Sequence, residues 1–136
     1  MLGTVNGTAK AWLLCAGVYG FVSVALGAFA AHGLESSLGA TRLGWIETGA
    51  RYQALHALAL LGVALLQAQA GAATVRPLAL AGGAFALGAL LFPGGLYLAG
   101  IVGWTVLIPV VPVGGGAFLV GWLALIWAAL GRGRGR

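Results

Sequence analysis

Long apolar stretches alternate with short polar segments along the chain. About Ala11 to Ala31 carries no charge after Lys10 and closes on His32 and Glu35. A second stretch runs from about Gly49 to Ala70, with Arg51, Tyr52, Gln53 and His56 in its first turns and Gln67 and Gln69 in its last. A third runs from Pro77 to about Ile101, and a fourth from about Gly114 to Leu130. A helix needs about 20 predominantly apolar residues to cross a bilayer. The pattern therefore predicts an all-α membrane protein, a single domain folded as a four-transmembrane-helix bundle. Pro77 suits the first turn of its helix. Pro93, Gly94 and Gly95 interrupt the third stretch. Proline removes a backbone donor and paired glycines loosen the ladder, so that helix is expected to be kinked or broken there.

The connections are read from what they contain. His32 to about Thr48 is the longest polar segment, and Leu34, Leu38, Leu43 and Ile46 are spaced for a short amphipathic helix. With Trp45 it suits the interface between lipid and water. Val102 to Val113, with Trp104, Pro109 and Pro112, reads as an apolar loop or re-entrant connection.

Composition agrees with this reading. Of 136 residues, 61% are hydrophobic and 7% charged, against roughly 25% charged in soluble domains. Mean hydropathy is +1.03. The lipid bilayer is thus the first expected partner. The net charge is +5, but Lys10, Arg42, Arg51, Arg76, Arg132, Arg134 and Arg136 are too scattered to form a basic face. That argues against a nucleic-acid partner. Lys10, Arg76 and the three tail arginines fall on one side of a four-span chain, with Arg42 and Arg51 on the other. The positive-inside rule then expects both termini in the cytoplasm. Ala28-Phe29-Ala30 resembles a signal-peptidase site, but the apolar run of about 20 residues exceeds the roughly 7–15 of a signal peptide. The lone Cys15 excludes an intrachain disulfide and reads as a packing residue.

Helices in lipid gain little by burying apolar side chains, so close packing through small residues must hold them together. Ala16, Gly20, Ser23, Gly27 and Ala31 share one face of the first span, and Gly114, Ala117 and Gly121 offer a similar face in the fourth. Such faces fit a tight bundle, a homo-oligomer or a larger membrane complex.

Candidate chemistry is confined to His32, Glu47, Arg51, Tyr52, Gln53 and His56, since ionisable groups at membrane depth are costly and mark candidate sites. Glu47 and Arg51 stand at i and i+4, the favourable order for an ion pair. Tyr52 and His56 share the same spacing, about 100–140° around the helix. The group could pin the first loop to the bundle. It could relay protons or ions through His32, Glu47 and His56. It could bind haem or a metal through His32 and His56, although no third ligand has helical metal-site spacing, or it could use a Glu-His pair catalytically. Gly114-Gly115-Gly116 lacks the Lys and Ser/Thr of a phosphate loop, and no serine sits in a nucleophile elbow. The Gly-Arg tail reads as a topological signal with anionic lipid contact as an extra.

Four segments carry a family resemblance. Leu26-Gly27-Ala28-Phe29-Ala30-Ala31-His32-Gly33-Leu34 and the run from Glu47 to Leu58 resemble signatures of domain-of-unknown-function family 423. So do Phe92-Pro93-Gly94-Gly95-Leu96-Tyr97 and the run from Pro112 to Trp122. The family comprises small bacterial inner-membrane proteins, with animal relatives called transmembrane protein 256. The resemblance implies a multi-span inner-membrane protein of unassigned activity and supplies no catalytic residue, metal ligand or cofactor. Pro93 and Gly95 stand where the family usually has serines, and Val111 where it has threonine. A mechanism needing those hydroxyls is in doubt here. The combined expectation is a non-enzymatic accessory or assembly subunit. The alternatives are a small transporter or channel using Glu47, Arg51 and His56, and a haem- or metal-binding protein using His32 and His56.

Overall fold

A computed structural model describes residues 6–131. The tail arginines Arg132, Arg134 and Arg136, and the lipid contact expected of them, lie outside the described residues. Four helices account for the fold: α1 (Gly7–His32), α2 (Ala40–Ala68), α3 (Val75–Tyr97) and α4 (Val111–Gly131). Each crossing is long and apolar enough to span a membrane. The chain is an all-α four-span membrane bundle.

Asn6 starts α1. Its side-chain oxygen accepts from the Ala9 amide at 2.8 Å, satisfying one of the amides a helix start leaves open. Its Nδ2 donates to the Gln67 carbonyl at 3.1 Å, which ties the start of α1 to the end of α2. Only the second half of the expected interfacial helix, with Leu43 and Ile46, is helical and is one element with the second span; Leu34 and Leu38 lie in the turn before it. Helix α2 begins at Ala40, about two turns before Gly49, because Leu43 and Ile46 continue the same inward face and Ile46 is buried. At 1.5 Å per residue it is about 43 Å long, more than the roughly 30 Å hydrocarbon core. Its first turns therefore extend beyond the apolar layer.

The break in the third crossing falls beyond the expected place. The chain stays α-helical through Pro93, Gly94 and Gly95 as far as Tyr97. Pro93 cannot donate to the Ala89 carbonyl, yet Pro93 and Gly95 are buried in the bundle. Gly95 lies against the Val111 side chain, where an added Cβ would sit 2.9 Å away. Packing on α4 keeps the helix together there. The ladder widens into a π-turn over Leu98–Val102 and ends at Gly103, whose φ of 85° lies in the left-handed region that glycine adopts without penalty. The apolar connection is no loop. After Trp104 it winds as a 3-10 turn, Thr105–Val110, directly into α4.

Helices α2 and α3 are central, while α1 and α4 bury much less of themselves. Helix α1 packs on α2, α2 on α3 and α3 on α4, with a smaller contact of α1 on α3. The Tyr19 hydroxyl donates to the Ala86 carbonyl at 2.8 Å across that last contact. The main core gathers Leu60, Val63, Ala81, Phe85, Ala89 and Phe118. A second cluster, Ala30, Ile46, Ala50 and Tyr97, lies toward the α1–α2 turn.

Small residues set the spacing. A methyl added at Gly20 would stand 3.9 Å from the Ala57 Cβ, and one at Gly27 would stand 3.7 Å from the Ala50 Cβ. Ser23 is buried between them and donates to the Gly20 carbonyl. Ala31, by contrast, is exposed and falls outside this contact. On α4, Gly114 lies against the Phe92 backbone and Gly121 against the Phe85 ring, with no room for a Cβ at either. Ala117 lines a shallower groove toward α3.

Candidate functional site

Helix α2 distributes its polar residues by the 100° step. Gly49, Gln53 and His56 are buried, whereas Glu47, Arg51 and Tyr52 are exposed. The α1–α2 register fixes their depth. Gly27 faces Ala50 and Gly20 faces Ala57, so His56 is level with Phe21, the middle of the first apolar stretch. His32 is level with Trp45, on the exposed end of α1. The two histidines are therefore about eleven residues, or about 16 Å, apart along the bundle axis. One haem iron or metal ion cannot take both. Among the described residues no group of three or more His, Cys, Asp or Glu is placed to hold a metal ion.

His56 is 2% exposed and sits in an aromatic box. Its ring stacks on Phe118 with centroids 3.5 Å apart and planes 6° apart. Phe85 packs obliquely at 5.5 Å and Trp122 edge-on at 5.9 Å. The Nδ1 lies 2.8 Å from the Tyr52 carbonyl, which can only accept. The Nε2 lies 3.2 Å from Trp122 Nε1, whose N–H can only donate. The two contacts together define the neutral tautomer protonated at Nδ1. Both nitrogens are spent on the fold, as a polar group at this depth requires. His56 has no free lone pair for a metal and no free position for a proton relay.

Gln53 and Tyr97 join α2 to α3. The Tyr97 hydroxyl donates to Gln53 Oε1 at 2.7 Å, and both side chains are buried. Gly49, one turn before Gln53, makes room for the phenol, since an added Cβ would stand 2.9 Å from its ring. Nearer the membrane surface, Arg42 closes the third crossing. Its Nε donates to the Gly100 carbonyl at 2.7 Å and an Nη to the Ile101 carbonyl at 2.8 Å. These carbonyls belong to the π-turn, and a cation there also meets the negative end of the helix dipole.

Glu47 and Arg51 do not join either set. They point outward and form no ion pair with each other among the described residues. Nine residues separate Glu47 from His56, which puts them on opposite sides of α2. The six polar positions read from the sequence thus form a buried pair of anchors, Gln53 and His56, an outward pair, Glu47 and Arg51, and a separate His32. Tyr52 lies between, on the rim of a groove of about 540 Å³ with His56, Phe92, Phe118 and Trp122.

The residues missed from sequence are Arg42, Tyr97, Phe118 and Trp122. Tyr97, Phe118 and Trp122 lie inside the family-like segments, so the signal was present without an assigned role. Arg42 reads from the sequence as a topological charge, and its two carbonyl partners are supplied by the tertiary fold.

Fold and site define a class, a four-span integral membrane protein in which polar pairs, Gln53 with Tyr97 and His56 with Trp122, join the helices. The chain belongs to the family described as proteins of unknown function, DUF423, which it matches over residues 26–115. It is similar to the UPF0382 inner membrane protein YgdD of Escherichia coli strain K12, with 39% identity over 90% of this chain and 92% of the relative. A UPF0382 membrane protein of Haemophilus influenzae is also 39% identical, over 87% of this chain and 92% of the relative. The UPF0382 membrane protein YwdK of Bacillus subtilis is 32% identical over 89% and 97% respectively. No solved structure gives a significant match.

Proposed function

We propose that the chain is a non-enzymatic inner-membrane subunit that acts by associating with another membrane protein, with both termini cytoplasmic. One observation carries the reading. Glu47 and Arg51 face outward from α2, Arg51 about 7 Å inside the level of Ala31 by the α1–α2 register. A charge exposed to lipid at that depth is costly and calls for a partner. The inward pair Gln53 and His56, in contrast, is occupied by bonds within the fold. The orientation is supported by Lys10 and Arg76 near one end of the bundle, together with the basic tail.

Extraction from native membranes in a mild detergent, followed by native mass measurement, tests the association. We expect a particle heavier than one chain. A chain that runs strictly alone and monomeric refutes it. Cysteine labelling at Ser36 and at Ala72, both exposed, tests the orientation, with Ser36→Cys accessible from outside and Ala72→Cys only from within.

A further inference from the structure

The outward face of the α1–α2 pair is left uncovered by α3 and α4. An apolar groove of about 400 Å³ runs along it, walled by Gly17, Gly20 and Val24 of α1 and by Ala54, Leu58 and Leu61 of α2. At 100° per residue, Glu47, Arg51, Ala54, Leu58 and Leu61 fall within about 80° of one another on α2. The two charges therefore continue the groove wall toward the membrane surface. Leu58 stands out from it, 68% exposed.

The chemistry of this face selects its occupant. A lipid phosphate would satisfy Arg51, but Glu47 lies one turn nearer the headgroups on the same stripe and repels an anion there. Both charges are satisfied by a surface that offers an acid and a base one turn apart at the same depth. Helix α2 of a second copy offers that surface. Copies inserted in the same orientation are related by a twofold axis along the membrane normal, which brings equal depths together. Each Glu47 then lies on the same side of the axis as the Arg51 of the other copy, one turn or about 6 Å away in depth, a span that the two side chains must bridge. Gly17, Gly20 and Ala54 leave the groove shallow enough for close helix approach, and the projecting Leu58 of each copy can fill it.

We infer that two copies of this chain pair through the α1–α2 face, by reciprocal Glu47–Arg51 ion pairs and mutual filling of the groove. The inference rests on reading that face as an association surface and names the partner.

Two arms test it in native membranes with the full chain. The first places Leu58→Cys in a Cys15→Ala background and applies a short thiol crosslinker. A dimer is expected, with none from Leu87→Cys on the outer side of α3. The second uses differently tagged Arg51→Glu and Glu47→Arg chains. Expressed alone, each loses about tenfold in self-capture, and co-expressed they capture each other at the parental level. An intrachain pair cannot produce that rescue, since each variant carries two like charges on its own stripe. Absence of the Leu58→Cys dimer overturns the inference, and that arm alters no charge, so it decides even where a charge variant inserts poorly. Failure of the rescue between correctly inserted chains also overturns it. A heavy native particle without self-crosslinking leaves the association reading standing and removes this inference, whereas a monomer removes both. Anionic phospholipid that co-purifies with the parent and is lost from Arg51→Glu, without self-crosslinking, assigns the face to lipid and overturns the inference.

Discussion

Tyr97→Phe removes a single oxygen from the α2–α3 contact, so its effect can be worked from one bond. The hydroxyl donates to Gln53 Oε1 at 2.7 Å, with Tyr97 7% and Gln53 4% exposed. The phenyl ring keeps its place over Gly49, so no large cavity opens and the packing term is small. What remains is a buried acceptor without its donor. In soluble proteins that costs about 1–3 kcal/mol. In membranes, polar interhelical pairs average about 0.6 and reach about 1.7 kcal/mol, because separated helices find other partners. We expect a loss of about 1 kcal/mol. Gln53→Leu should cost a similar amount, because it strands the Tyr97 hydroxyl. The double variant strands neither group and should cost less than the sum of the two. Unfolding of the purified bundle by sodium dodecyl sulfate in mixed micelles, followed by far-UV circular dichroism, measures all three. Strictly additive losses, or a Tyr97→Phe protein as stable as the parent, would refute the assignment of this bond as a helix clasp.

Three further outcomes follow from other contacts. Gly121→Ala drives a methyl into the Phe85 ring and should cost about 1–3 kcal/mol in the same assay, whereas Gly62→Ala meets no atom within 4 Å and should be neutral or slightly stabilising. Arg42→Ala strands the Gly100 and Ile101 carbonyls and should cost about 1.5–3 kcal/mol; amide exchange should rise most around Gly103, and Arg42→Lys should recover only part, since one ammonium does not reproduce the two-point contact. Nitrogen NMR of the His56 ring should report the neutral tautomer protonated at Nδ1 in the parent. Trp122→Phe should leave Nε2 without its donor and perturb that resonance, and an Nε2-protonated parent would contradict the described hydrogen bonds.

The four crossings were legible because hydropathy alone decides them: each has the length and polarity that lipid demands. Where they begin was less legible. The segment before Gly49 was polar enough to suggest a separate interfacial helix, but Ile46 has the phase of the buried face and pulls the first turns into α2. Proline and glycine misplaced the interruption of the third crossing for a related reason. Pro93 weakens the ladder locally, but burial against α4 holds it, and the departure occurs at Leu98–Val102, where Arg42 can satisfy the opened carbonyls. No local pattern contains that compensation, since Arg42 and Gly100 are joined only by the tertiary fold.

The polar group on α2 shows why spacing along a helix must be read as an angle before it is read as a site. Glu47, Arg51, Gln53 and His56 fall within ten positions, yet their spacing already separates a Glu47–Arg51 patch from a Tyr52–His56 patch. The 100° step sends Gln53 and His56 inward, where Tyr97 and Trp122 meet them, and sends Glu47 and Arg51 outward beside the α1–α2 groove. The two sets should therefore fail separately. Inward substitutions act on the stability of one chain and need not change which surface it presents. Outward substitutions touch no bond of the bundle and act on what the chain holds. That separation turns a stability assay and an association assay, applied to the same variants, into a direct measure of which half of the segment supplies the fold and which supplies the function.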